Sequence, residues 1–193
     1  MSNAIKYEVG HQCSSLMLKL RKRIAGLEKL KYIAPSSVLK VIAGGVFNSV
    51  MIYCLPLFGG TEKGHIRSLQ VLQNRVTQIV CRAPPRTNRI LLLDKLGWMS
   101  VAQLIAFHTL LNIFKMKRAG EPEYLADRLN NESRNGRIIL PNFHLQVAQK
   151  SFLYRGSCLW NRLPRALRST RKIGSFKRNL KTWVMENISK FVD

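Results

Sequence analysis

One stretch of the chain, from Gly64 to Val101, constrains the fold most because it combines a helical apolar repeat with a one-sided charge pattern. Apolar side chains recur at steps of three and four residues, which places them on one stripe of an α-helix: Ile66, Leu69, Leu72 or Gln73, Val76 and Ile79–Val80. The other faces carry only amides and cations, at Arg67, Gln70, Gln73, Asn74, Arg75 and Gln78. The pattern predicts a helix whose apolar back packs on a core and whose front faces outward.

The same stretch is free of carboxylates from Lys63 to Leu93. Its helix leads into a loop around Pro84–Pro85 that adds further arginines. Solvated helix faces usually mix both signs of charge, so a front of arginines and amides alone indicates a polyanionic partner. We therefore predict that five arginines face a phosphate backbone: Arg67, Arg75, Arg82, Arg86 and Arg89.

The charge of the whole chain favours the same kind of partner. Its 193 residues include 32 Lys and Arg against 10 Asp and Glu, a formal net charge of +22. A soluble domain rarely carries so much unbalanced charge unless a partner neutralises it. Nucleic acid is the first candidate and an anionic membrane surface is the second.

A second acid-free run extends from Ser133 to Met185. We predict a second nucleic-acid contact within its Arg155–Lys181 part, through Arg155, Arg162, Arg165, Arg168 and Lys177. Guanidinium groups suit this role because they bind phosphate with two parallel hydrogen bonds. Four aromatic side chains could stack on bases, with core packing as the alternative for each: Trp98, Tyr154, Trp160 and Trp183.

Periodicity along the rest of the chain predicts a mainly α fold. Amphipathic or apolar helices are expected over Ser14–Ile33, from Ser36 to about Cys54, from Val101 to Arg118, and from Ser175 onward. Arg137–Leu140 and Leu145–Tyr154 tolerate β structure and predict a small β-hairpin turning at Pro141–Asn142. We expect a helical bundle over residues 1–128, and a basic C-terminal extension over residues 129–193 that holds the hairpin and a terminal helix.

Val41–Thr61 is uncharged and long enough to span a membrane. Gly44–Gly45, Pro56 and Gly59–Gly60 lower its apolarity, and the proline is expected to end the helix before residue 56. We therefore interpret this stretch as a buried core helix. A peripheral or single-span membrane protein that uses Val41–Gly60 remains the alternative.

Residue types that usually catalyse reactions or bind metals are scattered along the sequence. The cysteines and histidines lack zinc-site spacing, the carboxylates are not paired, and no phosphate-binding glycine loop is present. The acidic cluster Glu121–Asp127 lies in a proline-containing linker, and His108 falls on an apolar stripe, as a core histidine does. We expect no catalytic site, metal, cofactor or small-molecule substrate.

The first residues lack a secretory signal, so an intracellular protein, nuclear or cytoplasmic, with reduced thiols is expected.

Several motifs, in order and over most of the chain, resemble the region after the palm of non-LTR (LINE, jockey-like) retrotransposon reverse transcriptases. They are Asn48–Ser49–Val50, Tyr53–Gly59 (YCLPLFG), Leu69–Arg75 (LQVLQNR), Leu91–Leu93, Leu96–Ser100 (LGWMS), Ser151–Phe152, Arg155–Pro164 (RGSCLWNRLP) and Ser175–Lys177. The resemblance implies a helical thumb and C-terminal extension, which grip the template–primer of an RNA-directed DNA polymerase.

The departure from the family is equally informative. The family's catalytic aspartates, including its aromatic-x-Asp-Asp turn, belong upstream of the matched region, and Asp94, Asp127 and Asp193 are isolated. The resemblance therefore implies a non-catalytic fragment of this transposable element's enzyme that binds RNA, RNA–DNA hybrid or DNA. Such a fragment should expose the face that packs on the palm and self-associate through it. An independent basic RNA- or DNA-binding module, with only ancestry in common, is the alternative.

Overall fold

In a computed structural model, the structure describes residues 2–58, 63–140 and 146–187, with side chains at 12–53, 55, 63–140 and 148–187. Helices account for 76% of the chain and no strand occurs in the described ranges, so the mainly α prediction is confirmed. The helices are α1 (Ser2–Leu30), α2 (Ser36–Ala43), α3 (Ser49–Phe58), α4 (Lys63–Cys81), α5 (Arg89–Leu96), α6 (Val101–Ala119), α7 (Glu123–Asn130), α8 (Gln146–Gln149), α9 (Phe152–Arg162), α10 (Arg165–Arg168) and α11 (Ile173–Glu186), with a π-helical segment at Gly44–Asn48.

The chain divides into two compact units, Met1–Val101 and Ala102–Asp193. The boundary expected between residues 128 and 129 lies inside the second unit. The reason is that α6 shares a core with the C-terminal helices: Phe114 stacks on Phe176 of α11 with ring centroids 4.1 Å apart. A break after residue 128 would separate these rings.

In the first unit, α1 packs on α4. Four leucine and isoleucine side chains of α1 are buried at helical spacing: Leu16, Leu20, Ile24 and Leu27. The stripe predicted for α4 is buried at Leu69, Val76, Ile79 and Val80. Of the two alternatives at the centre of that stripe, the buried one is Gln73.

The segment from α2 to α3 buries one residue in every four: Leu39, Ala43, Phe47, Met51 and Leu55. In a regular α-helix a strict four-residue repeat drifts around the axis by about 40° per step. The wider turn of the π-helical segment counteracts that drift, because it uses more residues per turn. The helix also continues past Pro56 to Phe58, so the predicted stop before Pro56 is wrong. A proline in the last turn removes one backbone hydrogen bond, which the segment tolerates.

The core of the second unit is aromatic. Trp160 is 2% exposed and lies 6.0 Å from Phe176, centroid to centroid. Base stacking by Trp160 is therefore excluded in favour of core packing. Gly156 explains how closely α9 approaches α6: a Cβ at this position would lie 2.5 Å from Ile113 Cδ1.

The predicted β-hairpin is wrong. Its second arm is helical where the structure describes it, in α8 and α9, because Gly156 and Trp160 pack at helical spacing against the core. Its first arm contributes only an isolated bridge between Glu132 and Ile138. The turn expected at Pro141–Asn142 lies outside the described residues. The terminal helix is present and begins at Ile173, two residues before the expected Ser175 cap.

Candidate nucleic-acid interface

Two of the arginines predicted to face phosphate have partners inside the first unit. Arg75 donates to Glu28 Oε1 from Nε at 2.8 Å and from Nη2 at 2.5 Å. Arg82 donates from Nη2 to the carbonyls of Lys31 and Ala34, at 2.9 and 3.0 Å. Both carbonyls belong to the turn that follows α1, so Arg82 fixes that turn beside the end of α4. Arg75 ties α4 to α1 itself.

The loop after α4 is shaped by short-range hydrogen bonds. Gln78 Nε2 donates to the Pro85 carbonyl at 3.1 Å. Asn88 caps α5 by accepting from the Ile90 N–H at 3.0 Å, which is the usual role of an N-cap residue. These bonds present the loop arginines to solvent. Three predicted site residues of this unit are exposed and form no ion pair or hydrogen bond among the described residues: Arg67, Arg86 and Arg89.

The sequence pattern predicts that the amides of α4 face outward, and the structure differs. Gln73 and Asn74 are buried. Gln70 Nε2 donates to both of them, at 2.9 and 3.0 Å. Gln73 Nε2 donates to the Met99 carbonyl at 2.9 Å, and Gln70 Oε1 accepts from the Val101 N–H at 2.8 Å. The amides of the LQVLQNR motif thus hold the LGWMS motif in place and satisfy the first N–H of α6.

The predicted cations of the second unit differ in accessibility. Arg162, Arg165 and Lys177 are exposed. Arg155 is half-buried and donates from Nε to the Lys150 carbonyl at 3.0 Å; burial lowers the pKa of its guanidinium. Arg168 is partly exposed, yet its Nε and Nη1 are buried without a hydrogen-bond partner in the described chain.

Sequence reasoning missed two residues of this region. Arg137 is exposed, and its positive charge lowers the pKa of Arg168. Lys117 pairs with Glu132 at 2.9 Å and donates to the Leu129 carbonyl at 2.7 Å. Arg137 could have been found from the sequence, because it lies in the acid-free run from Ser133 to Met185. Lys117 could not, because its role depends on α6 meeting a segment more than ten residues away.

The described residues contain no group of three or more His, Cys, Asp or Glu that could hold a metal ion. His108 packs edge-on against Phe107, and burial, followed by the charges of Lys177 and Lys115, lowers its pKa. Burial raises the pKa of the Cys81 and Cys158 thiols, which favours their protonated, unreactive form.

One helical stretch of the described chain, Ser36–Tyr53, is long and apolar enough to cross a membrane, judged by length and composition alone. A bent pair, α5 with α6, passes the same test if taken as one span. Only 22% of the Ser36–Tyr53 stretch is buried. The interpretation as a core helix therefore holds for one face, whereas Val41 and Tyr53 are 75% and 87% exposed.

Comparison of the chain with protein-family models, with curated proteins and with solved structures gave no match.

Proposed function

We propose that this chain is a non-catalytic thumb and tail portion of a non-LTR retrotransposon RNA-directed DNA polymerase, and that it binds template–primer nucleic acid. The observation that carries the proposal is the net charge of +22 together with exposed arginines in acid-free stretches of the sequence. The ordered motifs quoted above supply the family. Contact with phosphates would neutralise the cations and release the counterions that surround a nucleic acid.

The tertiary contacts divide the predicted residues into two groups. Arg67, Arg86 and Arg89 are exposed and have no internal partner in the described chain, so they are the phosphate contacts proposed for the first unit. Arg75 and Arg82 have internal acceptors. They connect α4 to α1 and to the turn that follows α1. The second unit contributes Arg155, Arg162, Arg165, Arg168 and Lys177.

The test is binding of the purified chain to an RNA–DNA hybrid, duplex DNA and single-stranded RNA across a salt series. We expect affinity to fall steeply with salt, by roughly 0.9 log units per log unit of salt for each phosphate neutralised on a duplex. A preference for the hybrid would support the thumb role. Equal affinity for all three would favour the independent basic module. Absence of binding at low salt would overturn the nucleic-acid proposal.

A charge-matched pair of variants tests the site in the first unit. Replacing Arg67, Arg86 and Arg89 with Gln removes three exposed cations, and replacing Lys19, Arg21 and Lys22 with Gln removes three from the exposed surface of α1. We expect the first variant to lose more affinity and to show a shallower salt slope. Equal losses would mean that charge alone matters and would contradict the site. Circular dichroism would check that both variants keep their helicity.

Self-association is a further proposal. Large apolar side chains are exposed along the first unit: Tyr32, Ile33, Val41 and Tyr53. Exposed large apolar side chains can take part in a protein interface. We expect light scattering to give a concentration-dependent mass above 22.1 kDa. A constant mass of one chain at every concentration would contradict it.

The exposed apolar side chains of Val41 and Tyr53 favour a second candidate function. This is attachment to an anionic membrane through Ser36–Tyr53 and its basic surroundings. Co-sedimentation with anionic and neutral vesicles would test it. Val41→Asp would abolish sedimentation if the apolar face enters the lipid. Full solubility without detergent, and no sedimentation with either vesicle, would exclude it.

A further inference from the structure

The turn at residues 131–138 is held in place by side chains of α9. The Asn161 side chain forms two hydrogen bonds with the backbone of Ile138. It accepts from the Ile138 N–H and donates to the Ile138 carbonyl, both at 2.8 Å. The Trp160 indole N–H donates to the Gly136 carbonyl at 3.4 Å. Gly136 adopts φ 66°, a conformation that favours glycine. The backbone on both sides of Arg137 is therefore fixed to α9.

The carboxylate beside this turn already has a cationic partner. Glu132 pairs with Lys117 at 2.9 Å, and the Lys117 side chain is only 14% exposed. Lys117 also donates to the Leu129 carbonyl and lies 5.8 Å from the centroid of the Trp160 ring. Glu132 therefore already shares its single negative charge with Lys117, and one carboxylate does not neutralise several arginines as well.

Arg165 and Arg168 lie three residues apart in α10 and so share one side of it. Nε and Nη1 of Arg168 are buried and have no acceptor within the described chain. Burial lowers the pKa of Arg168, and the charges of Arg137 and Arg165 lower it further, while Glu132 raises it. Arginine nevertheless stays protonated in proteins. A buried charged donor without an acceptor is unfavourable, so this cluster of three arginines requires an anion.

We infer that Arg137, Arg165 and Arg168 form a phosphate-binding site for the backbone of a nucleic acid. The exposed guanidinium groups of Arg137 and Arg165 would bind the outer phosphate oxygens. Arg168 would rotate so that one of its N–H groups that lack an acceptor donates a charge-assisted hydrogen bond to the same phosphate. This inference rests on the proposed function and assigns it a defined site.

The test compares Arg168→Met with Arg171→Met, which removes an identical charge from an exposed position three residues away. We expect Arg168→Met to weaken binding to the preferred nucleic acid about tenfold, and Arg171→Met to weaken it no more than about twofold. Without any anion, Arg168→Met should melt at the same temperature as the wild type or higher, because it removes an unsatisfied charge. Equal losses of affinity in the two variants would overturn the inference.

A second arm uses inorganic phosphate and separates failure of the site from failure of the proposed function. Phosphate should raise the melting temperature of the wild type and of Arg171→Met, relative to chloride at equal ionic strength, and leave Arg168→Met unchanged. Stabilisation that persists in Arg168→Met would overturn the site. A wild type that responds to phosphate but binds no nucleic acid would retain an anion site and remove the proposed function.

Two further variants keep the inference testable if Arg168→Met fails to fold. Arg168→Lys keeps the charge and loses the planar fork, so most of the affinity loss should remain. Arg137→Gln with Arg165→Gln changes only exposed side chains and should weaken phosphate-dependent stabilisation at unchanged helicity. Wild-type affinity in both variants would contradict the site.

Discussion

Two arginines of the first unit and one of the second have opposite surroundings. In Met1–Val101, Arg75 binds the Glu28 carboxylate and Arg82 binds two carbonyls of the turn that follows α1. In Ala102–Asp193, Arg168 has two buried nitrogens without an acceptor and lies near further arginines. Both groups look alike in sequence, as cations in acid-free runs. The difference shows that such an arginine indicates an external partner only when the fold leaves it without an internal acceptor.

The largest effect that would sharpen this comparison is expected in the second unit, at Asn161. Asn161→Ala removes both hydrogen bonds to Ile138, whose backbone is then buried without partners. We expect a loss of about 2–3 kcal/mol in the free energy of unfolding. Chemical denaturation measures it, with Asn179→Ala at an exposed position of α11 as the control. Equal stability of the two variants would mean that the turn does not depend on Asn161.

A smaller effect is expected in the first unit, at Arg82. Arg82→Gln removes two hydrogen bonds from a charged donor to carbonyls of the turn after α1, at an exposed site. We expect a loss of about 1 to 1.5 kcal/mol. Arg86→Gln carries the same charge change without an internal partner, so its unfolding midpoint should match the wild type. Equal stability of the two variants would mean that the hydrogen bonds of Arg82 do not stabilise the fold, which would contradict its structural role.

The smallest effect concerns the ion pair between Glu28 and Arg75. Its side chains are 41% and 57% exposed, so solvent screens their attraction. A double-mutant cycle with Glu28→Gln and Arg75→Gln should give a coupling of about 0.5 kcal/mol at low salt, and less in 1 M salt. The cycle cancels the change in net charge. A coupling that salt does not alter would indicate contacts other than the ion pair.

The order of stability effects need not be the order of binding effects. Asn161→Ala should also weaken nucleic-acid binding, because it releases the turn that presents Arg137. Arg82→Gln should leave binding close to its wild-type value under conditions where the chain stays folded. Measuring both quantities for both variants would separate residues that hold the fold from residues that bind the partner.

Helical periodicity recovered much of the fold, because the spacing of apolar residues is a local property. The buried stripes of α1 and α4 follow the predicted pattern at Leu20, Leu27, Leu69 and Val76. The helix stop at Pro56 and the hairpin failed for tertiary reasons. One missing hydrogen bond did not end α3, and packing of Gly156 and Trp160 on the core imposed helix on a β-tolerant segment.

The sequence by itself determined the helical class, the strong positive charge and the positions where carboxylates are absent, because composition and periodicity require no long-range contact. Only the tertiary structure decided which polar groups are already satisfied. Gln73 is buried and donates to the Met99 carbonyl, Arg82 donates to the turn after α1, and two buried nitrogens of Arg168 have no acceptor in the described chain. A hydrogen bond depends on which segments meet in space, and residue spacing along the chain does not contain that information.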